Sequence, residues 1–497
     1  MDNIQSLNYF WPELIIVITA LAAIIIDFFY NNKQSYRVGY WVLSGLVLAI
    51  IAMPICGTDV VTTLFMGMLA YDPFALFFKV LILISTILII LISIRNREFE
   101  NYRLGEYFVL IAVMVFGMFL MVASIDLIMV YLSIETVSIA SFILAGYLKR
   151  HDRSNESSLK YIIYGAFSSG LMLYGLSILF GLTGTTKIFE IREALAALNG
   201  EANFAIIISS ILILAGFGYK LSIVPFHFWT PDVYEGSPTT ITAYLSVAPK
   251  AAGFALIIRF FHAIFTNGGA LTSANWLSHT DLPWPQIIAI LAVVTMTLGN
   301  LVAIQQDNVK RMLAYSSIAH AGYMLMALPM LSGDGIFAIM LYLLMYMLMN
   351  LGAFFVVIVV KNKTNGETFD DFKGLGWEMP IIGLVMALFM FSLTGLPPTA
   401  GFIGKFYLFA AVISAGPSFY WLAIVGALNS VVSLYYYMRI VKVMYLEGSP
   451  YKNLSSSNPL VLIVLLCLAI PTLILGIYWA PIVDWVRNSL MFFTQNM

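Results

Sequence analysis

The chain has 497 residues, of which 61% are hydrophobic and only 10% are charged, and its mean hydropathy is +0.91. These values are typical of an integral membrane protein and exclude a soluble globular domain. A net charge of −1 gives no basis for nucleic-acid binding, and two distant cysteines, Cys56 and Cys467, exclude a CxxC site, an iron–sulfur cluster and a disulfide framework.

Apolar runs long enough to cross a bilayer follow one another along the chain, with short polar joints between them. They predict about fourteen transmembrane helices, at residues 11–30, 40–56, 74–94, 107–123, 127–148, 160–181, 204–224, 239–265, 285–304, 312–331, 336–360, 380–414, 419–445 and 459–480. The joint at 182–203 contains KIFEIREALAAL, which predicts a short surface helix. The sequence therefore predicts an all-α polytopic membrane protein.

The distribution of basic residues supports this division. Joints after odd-numbered helices, with the flanking helix ends, hold 17 of the 25 Lys and Arg residues, whereas joints after even-numbered helices and the C-terminal tail hold 3. By the positive-inside rule this bias predicts that both termini lie on the outer side. The inner joint 225–238 is an exception, because it carries Asp232 and Glu235 and no basic residue.

The stretch 216–240 contains Lys220 inside an apolar run and Pro225 five residues later. A charged Lys in a lipid-spanning helix costs about 2.5–3.5 kcal/mol on insertion scales. Pro225 lacks an N–H, so we expect the helix to break and to free a carbonyl near the charge, which is tolerated only inside protein or beside a wet cavity. Lys220 is therefore predicted to lie on an ion path; the alternative is a Lys that snorkels to the interface.

Three further charges fall inside predicted spans. Glu135 lies mid-span, and either pairs with a Lys or forms a neutral packing contact. Lys250 follows Pro249, which predicts a second break. Lys405 lies in a span that Pro397 and Pro398 interrupt. Lysines held between desolvation and a nearby carboxylate can load and release protons. Two discontinuous helices in two halves of the chain predict a transporter built from internal repeats, helices 4–8 and 9–13.

Histidines provide weaker candidates. His320 lies on a predicted helix beside Ser316 and Ser317, and His227 lies at the first helix break; each is a candidate proton carrier or a satisfied core residue. Other titratable side chains near helix ends are expected at the surface or the membrane interface: His151, His262, His279, Lys79, Arg259, Glu13 and Asp27.

Four long motifs resemble the antiporter-like membrane subunits of respiratory complex I, the proton-pumping NADH:quinone oxidoreductase. They are YLSIETVSIASFILAGYLKR, KLSIVPFHFWTPDVYEGSPT, GNLVAIQQDNVKRMLAYSSIAHAGYM and LTGLPPTAGFIGKF. The second motif, the N-terminal WPE and the AYSSIAHAGY stretch are most similar to the subunit N group of that family. The resemblance covers nearly the whole chain.

The resemblance implies fourteen helices with two inverted five-helix repeats, each with one discontinuous helix. The implied divisions are residues 1–106 (three helices), 107–265 and 266–446 (the two repeats) and 447–497 (the last helix and a tail). It further implies that Glu135 pairs with Lys220, and that Lys250 and Lys405 carry protons, with His320 on the same axis.

We therefore expect a proton-translocating subunit driven by quinone reduction elsewhere in the complex; a related sodium/proton antiporter or a ferredoxin- or hydrogenase-linked pump is the alternative. No cofactor or metal is expected in this chain, whereas NAD, FMN, quinone and iron–sulfur clusters are implied for partner subunits. Expected partners are neighbouring antiporter-like and small membrane subunits, lipid and protons. The expected location is the plasma (cell inner) membrane rather than an organelle inner membrane or a thylakoid.

Overall fold

The computed structural model of the protein describes residues 2–198, 203–266, 283–451 and 458–490. The first half contains α1 Asn3–Leu7, α2 Trp11–Phe28, α3 Val38–Ile55, α4 Pro73–Ser93, α5 Gly105–Ala123, α6 Leu127–Ala145, α7 Asp152–Thr183, α8 Ile188–Ala197, α9 Asn203–Leu221, α10 Trp229–Gly236 and α11 Thr239–Phe265. The second half contains α12 Trp284–Ile304, α13 Val309–Leu325, α14 Gly333–Thr364, α15 Leu375–Glu378, α16 Pro380–Thr394, α17 Ala400–Ser414, α18 Tyr420–Leu446, α19 Pro459–Ile477 and α20 Ala480–Asn488.

Every predicted transmembrane segment contains a helix. Among the described residues, 12 helices are long and apolar enough to cross a membrane, or 13 if the pair Phe369–Glu378 and Pro380–Thr394, bent by 120°, is one span. α13, with 17 residues, is shorter than these spans. The predicted surface helix is present as α8, which buries Ile188, Ile191 and Leu195 on one side.

A small β-hairpin departs from the all-α expectation. Strands β1 Thr62–Leu64 and β2 Leu69–Tyr71 pair in antiparallel register in the joint between α3 and α4. The Ser6 hydroxyl accepts a hydrogen bond from the Phe65 N–H at 2.9 Å, and Leu69 bridges to Ser124. The hairpin thus ties together joints that the helix count places on one face of the bundle.

Two helices form the centre of the bundle. α11 and α14 are fully buried over their apolar windows, whereas α2, α19 and the window of Pro417–Leu446 are at most 33% buried. Helices that are apolar around their whole circumference are those that other helices can surround. α11 carries Lys250 at 1% exposure, so this lysine lies in the protein interior and not against lipid.

Both strongest predicted helix breaks are present. α9 ends at Leu221, Ser222 has φ +61°, and the chain resumes as α10 at Trp229. α16 ends at Thr394 and α17 begins at Ala400, after Gly395 with φ +89°. Side chains satisfy the freed backbone, as irregular backbone at membrane depth requires: the Trp229 indole donates to the Tyr219 carbonyl at 3.0 Å, and the Gly401 N–H donates to Ser392 Oγ at 3.0 Å.

The break expected beside Lys250 is wrong. α11 runs uninterrupted from Thr239 to Phe265 with Pro249 inside it. Proline is tolerated within a transmembrane helix when the surrounding helices stabilise the missing hydrogen bond. The complete burial of α11 provides that support.

Candidate functional site

Lys220 lies in the last turn of α9 and is 4% exposed. Its Nζ donates a hydrogen bond to Ser138 Oγ of α6 at 3.2 Å. Glu135, one turn earlier on α6, is half-buried, and its Oε1 is buried without a hydrogen-bond partner. No ion pair joins Glu135 to Lys220 among the described residues. The expected pair is therefore open here, because Ser138 holds the ammonium.

In the described part of the chain no hydrogen bond joins Lys220 Nζ to a carbonyl at the end of α9: the Gly218 carbonyl accepts from the Ile223 N–H and the Tyr219 carbonyl accepts from Trp229. Lys220 instead packs towards α11. A Cβ atom at Gly253 would lie 2.7 Å from Leu221 Cδ2 and 3.7 Å from Lys220 Cγ, so the glycine permits this approach. Gly253 is three residues after Lys250 and lies on the same side of α11.

Lys250 contacts α13 and no acid. Its Nζ donates to the Ser317 hydroxyl at 2.6 Å and to the Ser317 carbonyl at 3.0 Å. Ser317 is three residues before His320, so the two side chains share one face of α13. Lys250 therefore contacts α13 one helical turn before His320.

His320 is 1% exposed and has a tyrosine hydroxyl at each ring nitrogen. Nδ1 lies 2.6 Å from the Tyr342 hydroxyl and Nε2 lies 2.9 Å from the Tyr437 hydroxyl. A neutral imidazole has one donor and one acceptor nitrogen, and a tyrosine hydroxyl can serve either. Both positions are thus satisfied whichever nitrogen carries the proton.

Lys405 lies at the second break. Its Nζ donates to the Thr394 carbonyl at 2.8 Å and to Ser430 Oγ at 3.1 Å, and it stands 4.6 Å from the Tyr323 ring centroid. The carbonyl freed by a broken helix therefore contacts Lys405, where it was expected for Lys220. A Cβ at Gly395 would lie 2.8 Å from Lys405 Cδ, so this close approach needs glycine.

His227 occupies the segment between α9 and α10. It is 4% exposed, and its Nδ1 is buried without a hydrogen-bond partner. Within the described ranges no hydrogen bond or ion pair joins its ring to Lys220, Lys250, His320 or Lys405. Lys250 contacts α13, the helix that carries His320, whereas Lys220 and Lys405 lie at the two helix breaks.

Lys220, Lys250, His320 and Lys405 form what we call the central axis. In the described part of the chain, none of its lysines has a carboxylate at ion-pair distance; their partners are hydroxyls and carbonyls. Hydroxyls accept from a charged ammonium and can donate to a neutral amine. These surroundings suit a group that changes its protonation state.

Three charges expected at the interface, Arg259, Lys79 and Glu13, are instead buried and paired. Arg259 makes two hydrogen bonds to Asp72, at 2.8 and 3.0 Å, with side-chain exposures of 1% and 0%. Lys79 pairs with Glu13 at 2.5 Å, each with 2% exposure. The snorkelling and anchoring expectations are wrong because neighbouring helices cover these helix ends. We call these two pairs the outer ion pairs.

Two smaller expectations also change. Asp27 is largely buried and accepts a hydrogen bond from Arg103 Nε at 2.8 Å. It therefore connects the end of α2 to the joint before α5. His262 is 4% exposed and lies inside the bundle, whereas His151 is exposed as expected. His279 lies outside the described residues.

The acidic inner joint is compensated by basic residues from elsewhere. Asp232 accepts from Lys160 and Arg311, each at 2.7 Å, and Glu235 accepts from Arg311 at 2.7 Å. The joint therefore draws its positive charge from α7 and α13. This explains why it departs from the positive-inside pattern without contradicting the assignment of its side.

A second charged group lies on the same face, which we call the basic face. It holds joints 29–37, 94–104, 146–151, 222–238, 305–308 and 365–379. Lys361 contacts Glu367 and pairs with Glu98 at 2.6 Å, and Lys310 lies 3.5 Å from Glu367. Burial alone would raise the pKa of Glu367, but Lys310 and Lys361 lower it to about 2. Burial also raises the pKa of Glu98, but the nearby positive charges, above all that of Lys361, together outweigh burial, and the pKa is lowered overall. Both carboxylates are therefore ionised at neutral pH.

Sequence reasoning missed this basic-face cluster and the partners of the axis. Lys310 counted as an ordinary loop charge, yet it is fully buried and donates to the Ser237 carbonyl at 2.6 Å. Tyr342 and Tyr437 come from helices that give no local signal for His320. Only Ser138 and Ser317 were visible in advance, as hydroxyls close in sequence to a predicted site.

No group of three or more His, Cys, Asp or Glu side chains that could hold a metal ion occurs in the ranges that the structure describes. The site consists of single titratable groups that contact hydroxyls and carbonyls. Groups of this kind can gain or lose a proton.

The sequence matches the family described as NADH:quinone oxidoreductase/Mrp antiporter, transmembrane, over residues 124–433. It is 46% identical to an NADH-quinone oxidoreductase subunit N 2 of Sorangium cellulosum, covering 98% of both chains. It is 43% identical to an NADH-quinone oxidoreductase subunit N of Anaeromyxobacter sp., covering 99% of this chain and 98% of that one.

Solved structures share the fold. A chain of respiratory complex I from Thermus thermophilus superposes with a TM-score of 0.78 at 27% identity, covering 96% of this chain and 99% of that one. A chain of the archaeal membrane-bound sulfane sulfur reductase gives a TM-score of 0.84 at 22% identity, covering 99% of this chain and 98% of that one. The second likeness concerns the fold alone.

Proposed function

The chain belongs to the NADH:quinone oxidoreductase/Mrp antiporter membrane family, and from that premise we propose that it is the proton-translocating subunit N of an NADH:quinone oxidoreductase. The observation that carries this proposal is the central axis. Three lysines, each at most 4% exposed, lie inside the bundle with hydroxyl and carbonyl partners, and in the described part of the chain none has a carboxylate at ion-pair distance. Membrane-embedded ionisable groups of this kind mark ion paths.

The Lys220 site provides the switch. Ser138 and Glu135 are three residues apart on α6 and share a face, so the Lys220 ammonium can exchange the hydroxyl for the carboxylate. With Glu135, Lys220 is stabilised in its charged form; with Ser138 alone, it is free to give up its proton. A conformational or electrostatic signal from quinone reduction in partner subunits would shift Lys220 between its contact with Glu135 and its contact with Ser138.

Protons reach the axis from the basic face. A cavity of about 400 Å³ opens there, beside Glu98, Lys361, Glu367 and Ser237. Tyr234 of α10 is buried, and its hydroxyl lies beside Ser317. α10 thus connects the cavity to the serine that holds Lys250.

Transfer then follows the contacts. Lys250 passes a proton to His320 by way of Ser317, and His320 passes it through Tyr342 towards Lys405. Gly404 permits the last approach, because a Cβ there would lie 2.7 Å from Tyr342 Cδ2. Lys405 releases the proton past Ser430 to the opposite face. Each step moves one proton from one nitrogen or oxygen to the next.

Energy for this transfer comes from outside the chain. Moving one charge against 100 mV costs about 2.3 kcal/mol. We propose that NAD, FMN, quinone and iron–sulfur clusters lie in partner subunits and that this chain acts only within the assembled complex. Neighbouring antiporter-like and small membrane subunits would transmit the signal.

The remaining organisation follows the family pattern. We place the two repeats at residues 107–265 and 266–446, with both termini on the outer side of the plasma membrane. The bias of basic residues supports this orientation. The near-complete coverage of relatives named subunit N favours quinone reductase over a stand-alone antiporter or a ferredoxin-linked pump.

The test is proton pumping, measured beside NADH:quinone electron transfer, in membrane vesicles carrying Lys220→Ala. Lys149→Ala, at an exposed lysine of the basic face, is the matched control. We expect both activities to fall in the first variant while the complex assembles, and neither to fall in the control. Full pumping and electron transfer in Lys220→Ala would refute the proposal.

A further inference from the structure

A cationic cavity on the basic face takes no part in the proton path. It has a volume of about 390 Å³ and lies between the end of α2, the start of α3 and the end of α4. Two arginines, Arg37 and Arg95, line it together with Tyr30, Tyr36, Tyr40 and Trp41. We call it the arginine cavity. No acidic residue lines it.

Both guanidiniums are exposed and lack an internal partner. Neither Arg37 nor Arg95 makes a side-chain hydrogen bond or ion pair to any residue that the structure describes. Other arginines of this face behave differently: Arg103 pairs with Asp27 at 2.8 Å, and Arg311 pairs with Asp232 and Glu235 at 2.7 Å. Two converging arginines without an acid are suited to bidentate binding of a phosphate group.

The surroundings identify the source of the phosphate. Tyr40 is 46% exposed and Trp41 is 52% exposed at the start of a membrane-spanning helix, where aromatic side chains contact lipid head groups. Below them, Val47, Leu48 and Ile51 continue an exposed apolar strip on α3. Residues at these spacings share a helix face, along which acyl chains can lie.

A neighbouring cavity of about 260 Å³ shares Tyr36 and Arg95, and its further charged residues are Lys33, Arg97 and one acid, Glu100, so its lining is net positive. The positive surface therefore continues from the arginine cavity towards the aqueous side. Basic pockets between transmembrane helices on the cytoplasmic side are suited to anionic lipid head groups.

We propose that the arginine cavity binds the phosphodiester head group of an anionic phospholipid, with Arg37 and Arg95 as phosphate ligands and the apolar strip of α3 against its acyl chains. The site is separate from the central axis. Its occupancy would hold the ends of the three N-terminal membrane helices, α2, α3 and α4, together.

The experiment uses the purified complex in detergent. Thermal stability is titrated with phosphatidylglycerol, with phosphatidylcholine and with inorganic phosphate, and tightly retained lipid is counted after delipidation. The variants are Arg37→Gln with Arg95→Gln, each single change, and Lys149→Gln with Arg150→Gln as a matched pair of exposed basic residues on the same face.

We expect phosphatidylglycerol alone to stabilise the wild type and the control pair. In the double variant we expect one fewer retained anionic lipid and an apparent Kd for phosphatidylglycerol at least about tenfold higher, which corresponds to about 1.4 kcal/mol. The single changes should give smaller increases and provide the test if the double variant assembles poorly.

Three results would overturn the proposal. One is equal retention of phosphatidylglycerol by the double variant and the wild type. Another is stabilisation by inorganic phosphate as strong as by the lipid, which would indicate a free-anion site. The third is cross-linking of Arg37 or Arg95 to a carboxylate of an adjacent subunit, which would make the cavity a protein interface.

Discussion

The outer ion pairs and the central axis are equally buried and differ in their partners. Arg259–Asp72 and Lys79–Glu13 bring an acid to every cation, with exposures of 2% or less. Lys250 and Lys405 are also buried, but among the described residues they donate to hydroxyls and carbonyls and have no carboxylate at ion-pair distance. Burial alone therefore does not mark a proton carrier in this protein.

The difference follows from what each partner tolerates. A carboxylate beside a cation favours the charged form of both groups and fixes them. A serine hydroxyl accepts from the ammonium and can turn to donate to the neutral amine. The outer ion pairs are therefore suited to holding helices together, and the axis lysines are suited to changing charge.

Breaking an outer ion pair should have the largest effect on stability. Asp72→Asn leaves Arg259 buried and uncompensated, a change that costs about 3–5 kcal/mol. We expect a strongly lowered melting temperature or loss of assembly, measured on the purified complex. Asp72→Leu combined with Arg259→Met should recover most of the loss, and a single variant as stable as the wild type would contradict the assignment.

Removing a lysine of the central axis should instead reduce proton pumping and leave stability unchanged or higher. Lys405→Met replaces an unpaired buried cation by an apolar side chain of similar length, so we expect unchanged or higher thermal stability. Proton pumping in vesicles should fall at least about tenfold, equivalent to about 1.4 kcal/mol. If Lys405→Met instead lowers the thermal stability and leaves pumping per assembled complex normal, Lys405 has a structural role like the charges of the outer ion pairs.

The two glutamates sharpen the comparison. Glu135→Gln should reduce pumping about fivefold, equivalent to about 1 kcal/mol, because it weakens the alternative partner of Lys220. Its thermal stability should be unchanged. Glu13→Gln should lower stability and leave pumping per assembled complex intact. The two variants behaving alike in both assays would refute the distinction.

The smallest expected effect concerns a hydroxyl. Ser317→Ala leaves Lys250 its carbonyl partner but removes the group that can also donate, so pumping should fall about two- to threefold, within the net worth of one hydrogen bond. Ser85→Ala is the matched control, since Ser85 is buried and donates only to the Leu81 carbonyl of its own helix. Equal effects of the two changes would indicate a general packing loss.

Much of the fold follows from sequence, because hydropathy reports directly on membrane-spanning length. The breaks near Pro225 and Pro397 were predictable from the loss of an N–H in an apolar run. Which helices are central is a tertiary property, so α11 could not be recognised as fully surrounded. For that reason the break at Pro249 and the snorkelling of Arg259 were predicted wrongly.

The lysines of the site were predictable from sequence, but their partners were not. Lys220, Lys250 and Lys405 stand out because charge is rare in apolar runs. Their partners do not stand out, since Ser317 lies 67 residues from Lys250 and Tyr437 lies 117 residues from His320. The buried pair of Asp72 and Arg259 spans 187 residues. Separations of this size leave no local pattern.

The most direct test of the account is the rate of proton pumping and the rate of NADH:quinone electron transfer by complex carrying Lys250→Met, with the melting temperature of the same preparation. We predict an intact, equally stable complex in which both rates fall sharply. A complex that keeps both wild-type rates but melts at a lower temperature would contradict the account, because Lys250 would then be a structural charge like Arg259.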